Sequence, residues 1–475
     1  MTFHVSLVGR KDLSGEIYRQ IRQAILDGRL RPGDRLSPSR NLAHTLTLSR
    51  ATVAVAYEKL AGEGFVTARP GAGTYVSGLT SNHGRQTPRK RSEGPLRPRA
   101  IWDSTPLPTT FEQPLGFNFR TGLPDATLFP HRTWRGLIIR ALRSSEHIAG
   151  AYADPAGLPD LRAAIARHIG TSRGVEASAG DVVVTNGTQQ ALDVLVRAFL
   201  APGETIAVED PGYLVPTRLF RALGLRVVGT PVDSSGLVVD ALPQGIRAVY
   251  VTPSHQYPLG MTLTLPRRQA LLDWAERNDA MIIEDDYDSE FRFAGRPLDP
   301  LQTLDVRGRV VYVGSFSKTL LPTLRLGFLI APPSLRSSLL KAKFVSDWHS
   351  STLAQTALAD MIDEGEFARH LYRMKSIYRE RHEMVAHAIT HEFADHLKLV
   401  PSSTGLHLAA LARTASVEQI ATVARRALDA GVGFQMLSKF AVTEAPRAGI
   451  VLGYGAIGAE RIPEGLRRLR RCFQD

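Results

Sequence analysis

The stretch Val310-Val311-Tyr312-Val313-Gly314-Ser315-Phe316-Ser317-Lys318 decides how this chain is read. Its four leading apolar residues predict a buried strand, and the run ends on a lysine flanked by two serines. A second apolar stretch, Ala280-Met281-Ile282-Ile283, runs into Glu284-Asp285-Asp286-Tyr287, which places Asp285 33 residues before Lys318. Both clusters therefore follow a strand, where open α/β sheets carry their ligands. A lysine, hydroxyls and an acid in that position suit a Schiff base to pyridoxal 5′-phosphate (PLP). That cofactor needs an amine for its aldehyde, an anion beside the ring nitrogen N1, a donor to O3′, a stacking surface and a phosphate cradle.

Each requirement has a residue. Lys318 is the amine, and burial or nearby cations would lower its pKa and make it nucleophilic. Asp285 is the anion for N1, and Tyr287 is a donor for O3′. Asn186-Gly187-Thr188-Gln189 follows the apolar run Val182-Val183-Val184 and opens a helical pattern. A strand, a glycine and a helix N-terminus form an anion pocket. Ser315, Ser317 and Arg325 add hydroxyls and charge for the phosphate. Glu209-Asp210-Pro211-Gly212-Tyr213 places an aromatic ring just past another strand. Singly these signals are ordinary: an Asn-Gly-Thr turn starts many helices, and Asp285, Asp286 and Tyr287 also suit a satisfied core cluster. Their common placement at strand ends carries the reading.

The chain has 475 residues, too many for one core, so at least two domains are expected. Hydrophobic content of 43% is that of a globular protein. No apolar run reaches the roughly 18 residues of a membrane span, and the N-terminus shows no signal-peptide pattern. A single cysteine, Cys472, in a polar terminal segment excludes a disulfide framework and suits a reducing cytosol; no catalytic role is expected of it. No metal site is expected.

The net charge of +12 is uneven. Residues 1–100 hold 17 Lys and Arg against 7 Asp and Glu, whereas the other 375 hold 41 against 39. A basic N-terminal region is the electrostatic footprint of a phosphate backbone; a solvated basic face has the same composition. Residues 10–76 form a periodic block. Leu13–Gly28 presents Ile17, Ile21, Ala24 and Ile25 on one helical face. Ser39–Leu46 is a short helix, and Ser49 caps a third over Arg50–Gly62, with Val53, Ala56, Tyr57 and Leu60 on one face. A three-residue turn between helices two and three fits a helix-turn-helix. Phe65–Thr67 and Thr74–Val76 flank a glycine-rich tip, Arg69-Pro70-Gly71-Ala72-Gly73, as a two-stranded wing. The start of the third helix reaches base edges in such units. Arg50 and Thr52 are the base-edge candidates and Arg40 and Arg69 the phosphate candidates, with Ser49 at the helix start and Gly71 at the wing tip as further DNA-binding candidates.

Residues 77–113 are rich in Pro, Gly, Ser, Thr and Arg and read as a linker. Its Arg89-Lys90-Arg91 cluster, with Arg97 and Arg99, fits DNA backbone or plain solvent equally. From residue 114, β-type runs at 182–184, 205–208, 226–228, 248–251, 281–284 and 310–313 alternate with helical patterns. That alternation predicts an α/β domain with a mostly parallel sheet covered on both faces.

PGDRLSPSRNLAHTLTLSRATVAVAYEKLAGEGFVTARPGAGTYV resembles the winged helix-turn-helix of GntR-type regulators. Residues 115–475 resemble fold-type I PLP-dependent aminotransferases, with a small C-terminal subdomain from about 345. Tyr152 to Arg162 is similar to that family's Y-x-x-x-x-G-x-x-x-L-R motif. Its tyrosine reaches the partner subunit's cofactor phosphate, so the resemblance implies a homodimer with shared sites. Thr252-Pro253-Ser254-His255-Gln256-Tyr257-Pro258-Leu259-Gly260 stands where many aminotransferases carry N-P-T-G, with Tyr257 in place of the O3′-contacting asparagine; His255 reads as structural. The segment Ala448–Gly455 lacks the arginine that holds a substrate carboxylate, although Arg447 precedes it. The joined architecture resembles the MocR subfamily of GntR regulators. That implies a cytoplasmic, PLP-dependent transcriptional regulator binding double-stranded operator DNA, with PLP alone or an amino acid or amine as effector. A working aminotransferase with a DNA-binding appendage is the alternative class, and a PLP-independent repressor a third.

Overall fold

The computed structural model describes residues 5, 12–78, 97–103, 105–107, 115–143, 150–295, 298–443 and 446–474. Arg89, Lys90 and Arg91 lie outside the described residues. The chain forms two compact units, Met1–Pro98 and Arg99–Asp475.

In the first unit, α1 (Leu13–Leu26) buries the expected face of Ile17, Ile21, Ala24 and Ile25. The helix stops two residues before Gly28, which turns the chain at φ 75°. Helices α2 (Ser39–Leu46) and α3 (Arg50–Gly62) have the expected bounds. Thr47, Leu48 and Ser49 connect them, with Thr47 in the left-handed region at φ 55°. Ser49 Oγ accepts the Thr52 amide at 3.1 Å and caps α3. The wing strands β1 (Val66–Arg69) and β2 (Gly73–Val76) are longer than expected, because antiparallel pairing continues to Arg69 and Gly73. Arg69 thus lies on the wing's strand, not at its tip. Ile17, Val53, Ala56 and Leu60 are fully buried in one core, and Tyr57 donates from α3 to Ser37 O at 2.7 Å, fixing the entry to α2.

The second unit is built on an eight-stranded sheet. Its strands run Val182–Thr185, Gly327–Ile330, Val310–Ser315, Met281–Asp286, Ile246–Val251, Thr205–Asp210, Arg226–Asp233 and Gly236–Leu237. All six expected strands are present. The unanticipated Gly327–Ile330 inserts antiparallel between Val310–Ser315 and Val182–Thr185. A four-residue apolar run carries no alternation to betray it. Gly327 is fixed by space: a Cβ there would lie 2.8 Å from Gly187 Cα. Parallel register sets Val313 beside Asp285, which brings the ends of those two strands together. Apolar clusters on both faces bury the sheet.

Towards the C-terminus, helix Glu366–His391 packs on a four-stranded sheet of Leu397–Leu399, His407–Ala412, Gly449–Gly453 and Gln435–Met436. Phe117–Asn118 pairs with Val432–Gly433, and Phe119 is fully buried in the same core as Tyr378 and Tyr454. Residues 117 and 118 therefore pair with residues more than 300 positions away. Cys472 is buried in that core as well, contrary to the polar setting its neighbours suggest. The last helix, Ile462–Arg471, turns Leu466 and Leu469 inward, and Cys472 continues that face.

A candidate cofactor site and a candidate nucleic-acid interface

The strand ends converge on a cavity of about 360 Å³. Lys318, Asp285, Tyr287, Tyr213, Tyr257, Thr188, Gln189, Ser315, Ser317 and Arg325 all line it. Ten of the twelve expected cofactor residues are thus brought together on its wall. Gly187 lies immediately behind, and Tyr152 is elsewhere.

Lys318 Nζ donates to the Gly122 carbonyl at 2.7 Å. Burial lowers its pKa, opposed by the charges of Asp288 and Asp285. A neutral amine, the nucleophilic form, is thereby favoured. Asp285 Oδ2 accepts from Tyr250 at 2.6 Å, while its Oδ1 is buried with no hydrogen-bond partner among the described residues. Burial raises the Asp285 pKa to about 7. An unpaired buried carboxylate oxygen costs free energy unless a donor arrives, and the protonated pyridine nitrogen of PLP is such a donor.

At the opposite end, Gly187 (φ 79°) opens helix Thr188–Phe199. A Cβ at Gly187 would lie 3.0 Å from Arg325 Nη2, and that guanidinium donates to Asn186 O at 2.6 Å. Arginine, hydroxyls and a helix N-terminus converge here as an oxyanion cradle. Behind it stands a residue that the sequence did not announce. Lys343, wholly buried, pairs with Asp347 at 2.7 Å, and Asp347 accepts the Asn186 side chain at 2.8 Å. Its position in helix Pro333–Asp347 reads as an ordinary helical lysine.

On the ring side, Tyr213 and Tyr257 meet edge to face at 5.4 Å. The Tyr257 hydroxyl and Thr121 Oγ1 are 2.5 Å apart, and Thr121 N donates to Gln435 Oε1 at 2.9 Å. Tyr287 donates to the His255 carbonyl at 2.9 Å. His255 is buried against Asp288 at 3.0 Å and is absent from the cavity wall. Ligand atoms of His255, Asp288 and His407 lie within 4.8 Å of one another, a space already bridged by the His255–Asp288 hydrogen bond. Thr121, Gly122, Asp288, His407 and Gln435 are wall residues that no local motif marked. Asp288 follows directly on Tyr287, whereas Thr121, Gly122, His407 and Gln435 arrive from distant parts of the chain, and only the tertiary fold assembles them.

Arg325 is the one arginine on the described wall. Arg447 donates instead to Val232 O at 3.1 Å. Within strand Gly449–Gly453, Val451 is fully buried against Ala409, Leu437 and Phe440. Tyr152 is 74% exposed and stacks on Trp348 at 4.2 Å.

In the first unit, Arg40 and Arg50 are exposed and make no ion pair among the described residues. Thr52 is half-buried, with its hydroxyl 2.8 Å from that of Ser49. Arg69 lies over the Tyr75 ring at 4.9 Å, and Gly71 turns the exposed wing tip at φ 73°.

Fold and cavity together define a PLP-binding domain of the aminotransferase class, preceded by a winged helix-turn-helix. Residues 127–447 match the aminotransferase class I and II family, and residues 13–76 the gntR family of bacterial regulatory proteins. The chain is 37% identical to a probable rhizopine catabolism regulatory protein, MocR, of Rhizobium meliloti, over 96% of this chain and 93% of that one. It is 34% identical to the pyridoxine biosynthesis transcriptional regulator PdxR of Corynebacterium glutamicum, over 93% and 91%. Among solved structures, the α-aminoadipate aminotransferase LysN of Thermus thermophilus superposes with a TM-score of 0.68 at 31% identity, covering 75% of this chain and 92% of that one. The chain belongs to the MocR subfamily of GntR-type transcriptional regulators, and its large domain binds PLP.

Two measurements probe the site. Lys343→Met should raise the PLP dissociation constant about tenfold, or ~1.4 kcal/mol, with Lys318 attachment chemistry retained; unchanged affinity would remove Lys343 from the cradle's support. The second concerns pH. Asp285 and Glu209 both have folded pKa values raised to about 7 by burial. The folded state then binds more protons than the unfolded one, so cofactor-free stability falls as pH rises from about 4 through 7. If the PLP ring nitrogen pairs with ionised Asp285, PLP should raise the melting temperature more at pH 8 than at pH 6. Asp285→Asn should erase that difference.

Proposed function

We propose that PLP itself is the signal this regulator reads, and that its targets are genes of vitamin B6 supply. The observation carrying this is the single arginine of the described wall. Arg325 lies at the phosphate end, and among the described residues no second guanidinium lines the cavity to hold a substrate carboxylate. An amino-acid transaminase needs that bidentate clamp. Val451, in the strand where the clamp was sought, is packed among apolar side chains. Multiple-turnover amino transfer is accordingly not expected, although one half-reaction at Lys318 is compatible with the wall.

The residues divide by task. Lys318 takes the aldehyde, Asp285 holds N1, and Tyr213 stacks on the ring. Gly187, Thr188, Gln189, Ser315, Ser317 and Arg325 enclose the phosphate, while Tyr287 and Tyr257 face O3′. Bound PLP supplies an electrophilic aldehyde and an electron-withdrawing ring. We assign residues 10–76 to the DNA head, 77–113 to the linker and 114–475 to the effector domain. The exposed Tyr152–Trp348 stack supports a homodimer in which Tyr152 serves the partner subunit's site. Such a dimer presents two heads to operator half-sites, and a ligand that favours one dimer geometry shifts their spacing.

Binding to DNA from the gene's own upstream region, measured with and without PLP, tests this. A PLP-dependent change in affinity that disappears in Lys318→Ala is expected; identical binding would make PLP a fixed prosthetic group. Arg50→Ala should cost roughly 1–3 kcal/mol of operator affinity and relax base preference. Arg40→Ala should weaken all DNA alike and reduce the salt slope by about one. A sequence-selective loss at Arg40 would move it from phosphate to base.

A further inference from the structure

The hydrogen bond from Lys318 Nζ to Gly122 O joins the reactive amine to a particular piece of chain. Residues 117–123 follow the linker directly in sequence. They form a strap threaded through the small subdomain: Phe117 N donates to Gly431 O, Phe119 N to Gly433 O, and Gly453 N to Phe119 O. Beyond Phe119 the strap leaves that ladder and crosses the cavity. There it is held by side chains, Thr121 by Gln435 and Tyr257, and Gly122 by Lys318. Gly122 sits at φ 90°, and a Cβ there would lie 3.7 Å from Lys318 Nζ. The strap thus passes within contact of the one amine that the cofactor must capture.

We propose that this bond is a latch that reads whether Lys318 is covalently attached to an aldehyde. The proposal rests on the PLP assignment above. The free amine donates to Gly122 O, and in the neutral form that attacks an aldehyde it has two hydrogens. Condensation with the aldehyde forms a carbon–nitrogen double bond. The carbonyl oxygen leaves as water and takes both amine hydrogens. If the nitrogen is then protonated, its single hydrogen points towards the cofactor's own phenolic oxygen, which lies on the ring beside the new bond. Either way Gly122 O loses its donor. A carbonyl without a partner is unfavourable, so the strap is released at Gly122, while the Phe117 and Phe119 ladder bonds and the Thr121 contacts remain. The device separates the aldehyde form of the vitamer from its amine form. Pyridoxamine 5′-phosphate (PMP) cannot condense with Lys318 and leaves the amine free to hold Gly122. An amine ligand that takes the cofactor off Lys318 resets the latch in the same way. The switch therefore responds to the covalent state of one nitrogen, not to occupancy of the cavity.

Hydrogen exchange on the full-length protein tests the latch. With PLP bound, peptides covering residues 119–124 should exchange about fivefold faster than with PMP, the effect of losing one hydrogen bond; wing peptides over 66–76 serve as the internal reference. Cofactor-free Lys318→Ala should show the same acceleration relative to cofactor-free wild type. Equal exchange with the two vitamers overturns the latch, as does wild-type protection of the strap in Lys318→Ala. If that variant fails to fold, the PLP–PMP comparison in the wild type still decides. A borohydride-reducible visible band on adding PLP reports attachment separately. Its absence would defeat the cofactor assignment and the latch together, whereas attachment without strap release would defeat the latch alone.

Discussion

The arrangement depends on keeping one amine out of water at the end of one strand. Lys318 follows Val310–Ser315, and parallel pairing of Val313 with Asp285 fixes how far it stands from the acid. Desolvation pushes the amine towards neutrality, and the Asp285 and Asp288 charges push back. Burial likewise raises Asp285 to about 7. Burial thus pushes both the amine and the acid towards their neutral forms, although their charges attract. A cofactor bringing both an aldehyde and a basic ring nitrogen relieves the two at once. The sheet makes this possible because its backbone bonds are already satisfied, so the strand ends can carry groups that are not.

The phosphate end follows a different logic. Gly187 and Gly327 approach too closely for a Cβ on Gly327, which brings the antiparallel strand and the loop before helix Thr188–Phe199 into direct backbone contact. Arg325 then reaches Asn186 O, and the Asn186 side chain is tied through Asp347 to buried Lys343. Lys343 is not on the cavity wall. Its buried charge fixes Asp347, which fixes Asn186, which sets the cradle. Removing a partner from such a buried chain leaves the next group unsatisfied.

Local chemistry was legible where it repeats locally. Helices α1 to α3 have apolar faces at helical spacing and end on Leu26, Leu46 and Gly62. Six strands carry continuous apolar runs, and ten cofactor residues sit just past them on the cavity wall. What stayed hidden lacks a local signal. Gly327–Ile330 is four residues of unpatterned apolar sequence, and its antiparallel insertion depends on a glycine contact across the sheet. The strap 117–123 reads as loop because its partners, Gly431, Gly433 and Gly453, lie more than 300 residues on. Cys472 sits among arginines in sequence and among hydrophobic residues in space. The wing strands run two residues and one residue further than their composition suggests, since pairing with a neighbour sets strand length more firmly than propensity does.

The arginine-poor wall and the strap explain each other. An enzyme must grip the substrate's carboxylate and let Lys318 alternate between cofactor and proton transfer through many cycles. That demands a wall with a second cation and a strap indifferent to what Lys318 is doing. Here the strand that would supply the cation is closed by Val451, Leu437 and Phe440, and the strap is bonded to Lys318 itself. On the proposed reading, binding energy that an enzyme would direct into orienting a substrate serves instead to distinguish two arrangements of the chain. A ligand shifts a conformational equilibrium only by its difference in affinity for the two states. In the proposed latch, covalent capture of Lys318 creates that difference at Gly122, on the strap 117–123.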